Sequence, residues 1–220
     1  MIQIFDCAQR SPEWFAARAG LPTASEFSTI LAKGEGKTRR TYLLKLAGEL
    51  ATGEPMESYD NAAMERGRMM EDEARDLYAF ATDAELTSVG FIRNGQKGCS
   101  PDALIGDSGM LEIKTAAPHV LIDKLLKDDF PPEHKAQCQG GLWVAEREWI
   151  DIAIYWPKLP LFTKRAFRDA DYIRTLAAEV DRFNDELAET VERVRRYGGG
   201  LKADLTASLA AEPVNLLMAG

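Results

Sequence analysis

Cys99-Ser100-Pro101-Asp102-Ala103-Leu104-Ile105-Gly106-Asp107-Ser108-Gly109-Met110-Leu111-Glu112-Ile113-Lys114 is the stretch on which the fold turns. Two short apolar runs, 102–106 and 110–114, flank the turn formers Asp107-Ser108-Gly109 and together predict a tight β-hairpin. In that hairpin Asp102 opens one strand and Glu112 sits in the next, so the two carboxylates stand side by side. Glu112 and Lys114 are two apart and share a face, roughly 6.6 Å along the strand. Ile113 points the other way, into the core, which leaves its backbone carbonyl available as a ligand.

Upstream of the hairpin the chain reads as helical. Ser11-Pro12-Glu13 is a start signal: a hydroxyl at the N-cap, proline at the first helical position and an acid in the first turn. A short helix is predicted from Thr23 or Ser25, another over 38–51, and a longer one from Asp60, where Met70, Ala74, Leu77, Tyr78 and Ala81 form an apolar stripe. Residues 87–93 read as a strand that turns at Asn94-Gly95. Downstream, helices are predicted over 117–128 and 132–146, then strands over 149–156 and 161–167 around Pro157 and Pro160. A last helix is predicted from Asp169 to Tyr197, with Gly198-Gly199-Gly200 as its stop. Helices, a meander of strands, a helix, strands and a helix make one α/β (α+β) domain, a central mixed β-sheet flanked by helices, over residues 1–200. Residues 201–220 read as a C-terminal tail or docking segment.

The whole sequence narrows the classes of function. With 220 residues, 45% of them hydrophobic and 28% charged, it suits one soluble globular core. The three cysteines are scattered, which argues against a disulfide scaffold, a zinc site or an iron–sulfur cluster and suits a reducing cytoplasm. No signal peptide is expected from the first residues, and no apolar run approaches the ~20 residues that span a bilayer. The net charge of −8 speaks against an acidic partner such as DNA. Residues 33–45, however, carry Lys33, Lys37, Arg39, Arg40 and Lys45 against the single acid Glu35.

Paired acids on rigid strands suit the hydrolysis of phosphodiesters. That reaction is very slow unaided, and one or two Mg²⁺ ions, about 4 Å apart when paired, commonly lower its barrier. Mg²⁺ is hard and takes carboxylate and carbonyl oxygens. A lysine beside the attacking water can orient it and offset the charge on the phosphate. Glu-x-Lys by itself is better explained by a charged strand edge. Glu71 by itself likewise reads first as an intrahelical partner of Arg75 four residues on.

Cys99–Ala103 with Leu111–Lys114 resembles the core motif of the PD-(D/E)xK nucleases, whose fold is restriction-endonuclease-like. More narrowly, the sequence resembles the lambda-exonuclease (YqaJ-type phage recombinase) branch. Three further stretches agree in the right order: Trp14–Ser25, Arg66–Arg75 and Ala136–Gln139. The resemblance implies Asp102, Glu112, the Ile113 carbonyl and Glu71 as metal ligands, for Mg²⁺ with Mn²⁺ as substitute. It implies Lys114 as the catalytic lysine, and Gln137 as the glutamine that helps set the water and scissile phosphate, with Gln139 a packing neighbour. Arg18, Thr23, Ser25 and Ser100 match a pocket for a terminal 5′-phosphate, although Thr23 and Ser25 could also cap a helix. Met64 falls where the family has an apolar wedge that parts the strands. Glu35 stands nearest the family's basic DNA contact, so Lys33 or Lys37 is the candidate substitute. His134 replaces an aromatic residue and reads as an exposed helix histidine.

What the resemblance implies as a whole is a 5′→3′ exonuclease. It would act in the cytoplasm of a phage- or prophage-bearing host, degrade one strand from double-stranded DNA ends and leave 3′ overhangs. A ring-shaped homotrimer and a single-strand annealing protein as partner go with it. The alternatives are a structure-selective endonuclease on the same fold and a non-catalytic DNA-binding subunit.

Overall fold

The computed structural model describes residues 1–32, 37–56 and 62–210, the side chains at 37, 62–69 and 198–210 excepted. In chain order the elements are β1 (Ile2–Phe5), α1 (Pro12–Arg18), α2 (Phe27–Leu31), α3 (Lys37–Thr52), α4 (Ala62–Thr82), β2 (Leu86–Thr87), β3 (Phe91–Asn94), β4 (Gly98–Cys99), β5 (Ala103–Ile105) and β6 (Gly109–Thr115). Then follow α5 (Pro118–Lys127), α6 (Lys135–Ala145), β7 (Trp149–Tyr155), β8 (Phe162–Phe167) and α7 (Ala170–Ala210), with single 3₁₀ turns leading into α2 and α6.

The predicted hairpin is the seed of a five-stranded mixed sheet in the order β2-β5-β6-β7-β8. β5 and β6 pair antiparallel with Ala103 opposite Leu111, and the Asp102 N–H donates to the Leu111 carbonyl at 3.0 Å. That register sets Asp102 across from Glu112. β6 and β7 run parallel, which requires a long crossover, and α5 with α6 supplies it. β7 and β8 close the sheet antiparallel. A smaller sheet, β1-β3-β4, stands beside it.

Alternation along β6 divides its side chains between two cores. Leu111 and Ile113 pack on the face covered by Met70, Ala74 and Tyr78 of α4. Met110 lies in the larger cluster with Phe27, Cys138, Leu142 and Phe183, on the side of α2, α6 and α7. By the same alternation Glu112 and Lys114 face α6.

Three departures from the sequence reading have physical causes. β1 has no signal in the sequence: it pairs only with β3, some ninety residues on, and half its side chains are exposed. The run 87–93 is not one strand, because it bends at Gly90 and feeds two sheets. A Cβ at Gly90 would lie 2.3 Å from the Cys7 carbonyl oxygen, so no other residue allows that approach. The stop at Gly198-Gly199-Gly200 does not occur, and α7 continues to Ala210. Each glycine costs about 1 kcal/mol relative to alanine but keeps its N–H in the ladder, and good helix formers stand on both sides. Residues 211–220 lie outside the described residues.

Candidate active site

Asp102, Glu112, Lys114 and Gln137 line one cleft of about 200 Å³. Lys114 Nζ lies 2.7 Å from Glu112 Oε1, and Gln137 Nε2 donates to the same oxygen at 2.5 Å. Asp102 Oδ2 accepts the Ile113 N–H at 2.5 Å, so the acid from one strand caps the backbone of the other. Burial, and then the neighbouring Glu112 carboxylate, push the Asp102 carboxyl well above the usual carboxylate range. Burial also works against the Lys114 charge, but the Glu112 carboxylate outweighs it and holds the ammonium above its ordinary pKa. The lysine is therefore a fixed cation at neutral pH.

The donors fit a hard divalent cation in kind. Burial and the Glu112 carboxylate oppose the ionisation of Asp102, which a cation between the two acids would reverse. Among the described residues, no three acid, histidine or cysteine side chains converge closely enough to hold an ion. The fit rests on Asp102, Glu112 and the carbonyl-bearing backbone between them, with Glu71 on the wall of the same cleft. Arg75 does not engage Glu71; its Nη1 pairs with Asp72 at 2.9 Å.

The other end of the cleft gathers Arg18, Thr23, Ser25 and Ser100. The Arg18 guanidinium lies 4.1 Å over the Trp14 ring and donates from Nη2 to Thr23 Oγ1 at 3.4 Å. Thr23 Oγ1 and Ser25 Oγ are 3.2 Å apart. Ser100 Oγ accepts the Trp14 indole N–H at 2.8 Å. Thr23 stands at the start of the 3₁₀ turn, yet its side chain makes no capping bond, so its hydroxyl serves the cleft instead. Burial lowers the Arg18 pKa, against the pull of Tyr42 and Glu49, but from a value so high that it stays charged.

On α6 the two glutamines point apart, since residues two apart on a helix lie roughly 200° around. Gln137 faces Glu112. Gln139 is buried, donates to the Phe167 carbonyl at 2.8 Å and accepts the Asp169 N–H at 2.8 Å, tying the end of β8 to the start of α7. His134 is half-buried rather than exposed, and burial and then the nearby Lys114 lower its pKa.

Lys33 lies outside the described residues. Lys37 opens α3 and Met64 sits in α4, both among the side chains left undescribed. Of the basic stretch, Arg39 is committed to packing. It binds Glu186 of α7 through two nitrogens at 2.7 and 2.9 Å and lies 5.2 Å over Phe183.

Three cleft residues carry no signal in the sequence. Gln9 Nε2 donates to the Pro101 carbonyl at 3.0 Å, Trp14 holds Ser100 and Arg18, and Arg10 borders the acids. The Gln9 bond to Pro101 and the Trp14 bond to Ser100 span 92 and 86 residues, separations at which no local pattern announces them.

The fold has counterparts among known proteins. Two structures of the alkaline exonuclease LHK-Exo are similar, one in complex with dAMP (33% identity, TM-score 0.80) and one described as from Laribacter hongkongensis (32%, 0.79). Each match covers 87% of this chain and 100% of that one. A phage-related exonuclease from Haemophilus somnus 129PT, 14% identical, shares the fold with a TM-score of 0.60 over 79% of this chain and 96% of its own. No curated protein matches the chain significantly. The profile of the YqaJ-like viral recombinase domain matches residues 13–148, more than half of the sequence, and the chain belongs to the YqaJ-like viral recombinase family with a lambda-exonuclease-like fold.

Proposed function

We propose that this chain is a Mg²⁺-dependent 5′→3′ exonuclease. It degrades one strand of double-stranded DNA from 5′-phosphorylated ends and leaves 3′ single-stranded overhangs for annealing. One observation carries the reading: a single cleft joins Asp102, Glu112, Lys114 and Gln137 at one end to Arg18, Thr23, Ser25 and Ser100 at the other. A guanidinium with hydroxyl donors suits the dianionic phosphate of a strand end far better than an internal diester. The exonuclease relatives, one of them described as complexed with dAMP, support the same reading.

Asp102, Glu112, the Ile113 carbonyl and Glu71 would hold the ion. Magnesium, or manganese in its place, would polarise a phosphate oxygen and acidify an attacking water. Lys114 places a fixed positive charge beside Glu112, where negative charge develops on the phosphate. Gln137 keeps the Glu112 carboxylate aimed and offers a hydrogen bond to whatever displaces it. Arg18 sets the distance from the strand end to the cut. A homotrimeric ring with DNA in its channel, partnered by a single-strand annealing protein, belongs to the same reading. No described helix is long and apolar enough to cross a membrane.

The test is digestion of end-labelled linear duplexes that differ only in the 5′-phosphate, with and without Mg²⁺. Phosphorylated ends should be degraded faster, only with the ion, and Lys114→Ala should be inert. Equal digestion of closed circular duplex would sink the exonuclease reading in favour of an endonuclease. Light scattering should give a particle three times the 24.4 kDa chain.

A further inference from the structure

A second cavity, of about 350 Å³, adjoins the cleft and shares Gln9, Arg10, Glu71 and Asp102 with it. From that shared wall it runs on to Arg75, Ser88 and Gly90, whereas Arg18, Thr23 and Ser100 border the first cavity alone. Glu71 and Asp102 thus stand on the wall between two adjoining cavities, a wall that Arg10 also lines.

Both arginines of the second chamber carry a cost that the fold does not require. Arg75 spends Nη1 on Asp72, but its Nε is buried and finds no hydrogen-bond partner. A buried donor left unpaired is destabilising. Arg10 is the third residue of the turn closed by the Ser11 N–H on the Ala8 carbonyl at 3.1 Å, and its φ is +70°. Glycine fills that left-handed conformation freely, while a side chain there is strained. Two destabilising cations beside the same pair of acids suggest a shared anionic ligand.

We propose that Arg10 and Arg75 form a second phosphate subsite, which holds the backbone phosphate of the strand retained after each cut. The proposal rests on the exonuclease reading and extends it. Guanidinium forks match the two free oxygens of a phosphodiester. Asp6 also lines the cavity, so its charge is mixed. A mixed site suits a phosphate delivered by a strand already anchored at Arg18 better than a free anion drawn from solution. With one phosphate at Arg18 and another at Arg10 and Arg75, the diester between them lies at Asp102 and Glu112.

Arg10→Gly and Arg75→Met in the full chain test this. Each removes a strained or unpaired group, so the melting temperature should hold or rise. Binding of a 5′-phosphorylated duplex, followed with Ca²⁺ in place of Mg²⁺, should weaken. The slope of log Kd against log salt should shrink by about 0.9 for each phosphate no longer neutralised. The preference for phosphorylated over hydroxyl ends should stay at the wild-type ratio. Unchanged salt slopes overturn the proposal, as does a vanished end preference, which would merge the chamber with the Arg18 pocket. Weaker inhibition by dAMP with unchanged duplex binding also overturns it, making the chamber a site for the released nucleotide. If wild type leaves phosphorylated duplex intact in Mg²⁺, it is the exonuclease reading that fails.

Discussion

Trp14 ties the phosphate end of the cleft together through a single side chain. It is 7% exposed, its indole N–H is shared between Ser100 Oγ at 2.8 Å and the Gly90 carbonyl at 3.0 Å, and its ring carries the Arg18 guanidinium. Ring and N–H therefore do separable work: the ring positions the cation and the N–H positions the hydroxyl. Trp14→Phe keeps an aromatic face but removes the donor, leaving the buried Gly90 carbonyl short of a partner. It should lower stability by about 1–3 kcal/mol. It should also reduce the preference for 5′-phosphorylated ends several-fold without abolishing it, because Arg18 still has a ring to lie on. The ratio of kcat/KM on phosphorylated and hydroxyl ends measures this. An unchanged ratio would mean that Ser100 takes no part in reading the end.

Between elements, the joint that matters most to the larger core is the one between α3 and α7. Tyr42 stacks on Phe183 with centroids 5.6 Å apart, and Arg39 grips Glu186. The Arg39 hydrogen bonds hold the Glu186 carboxyl below its ordinary value of 4.5. The folded acid thus binds its proton more weakly than the unfolded one. The contribution is fully present above about 4.5 and is lost as pH falls through the lower folded value. Glu186 is more than a third exposed, so solvent screens the pair and about 1 kcal/mol or less is expected from it. Urea denaturation of Glu186→Gln should therefore show a modest loss at pH 7 that narrows as pH falls below 4.5, where wild type progressively loses the same contribution. A gap that does not narrow with falling pH would assign the effect to packing rather than charge. This joint also marks what is legible in the sequence. The helical spacing of α7 is plain there, and so are the hairpin and its acids, because those signals are local. The pairing of Arg39 with a residue 147 positions away is not, and in the sequence Arg39 reads only as part of the basic stretch 33–45. The same limit hides β1 and the roles of Gln9 and Arg10, whereas the glycine run at 198–200 misleads because propensity is weaker than a long helix's continuity.

Across the whole molecule the two faces of the sheet are unequally packed. Among the described residues, twenty-five buried ones form the cluster on the side of α6 and α7, and eight form the one under α4. α4 is also held by the Tyr78 hydroxyl, which donates to the buried Asp151 carboxylate at 2.5 Å, where Arg165 completes an ion pair. The element that carries Glu71 is thus the more lightly anchored layer, while Asp102, Glu112 and Lys114 ride on the sheet itself. Local opening draws on the least-packed elements, so amides over residues 70–82 should exchange with solvent faster than those of β6, β7 and α6. Tyr78→Phe should speed that exchange selectively by leaving Asp151 one partner short. If Glu71 joins Asp102 and Glu112 around a metal ion, the ion bridges the loose layer to the rigid one. Mg²⁺ should then slow exchange over 70–82 in wild type, and Asp102→Asn should abolish the slowing while leaving the metal-free rates unchanged. Exchange that ignores Mg²⁺ would remove Glu71 from the ligand set and leave the ion to the two strand-borne acids. Slowing that survives Asp102→Asn would place the ion elsewhere on α4.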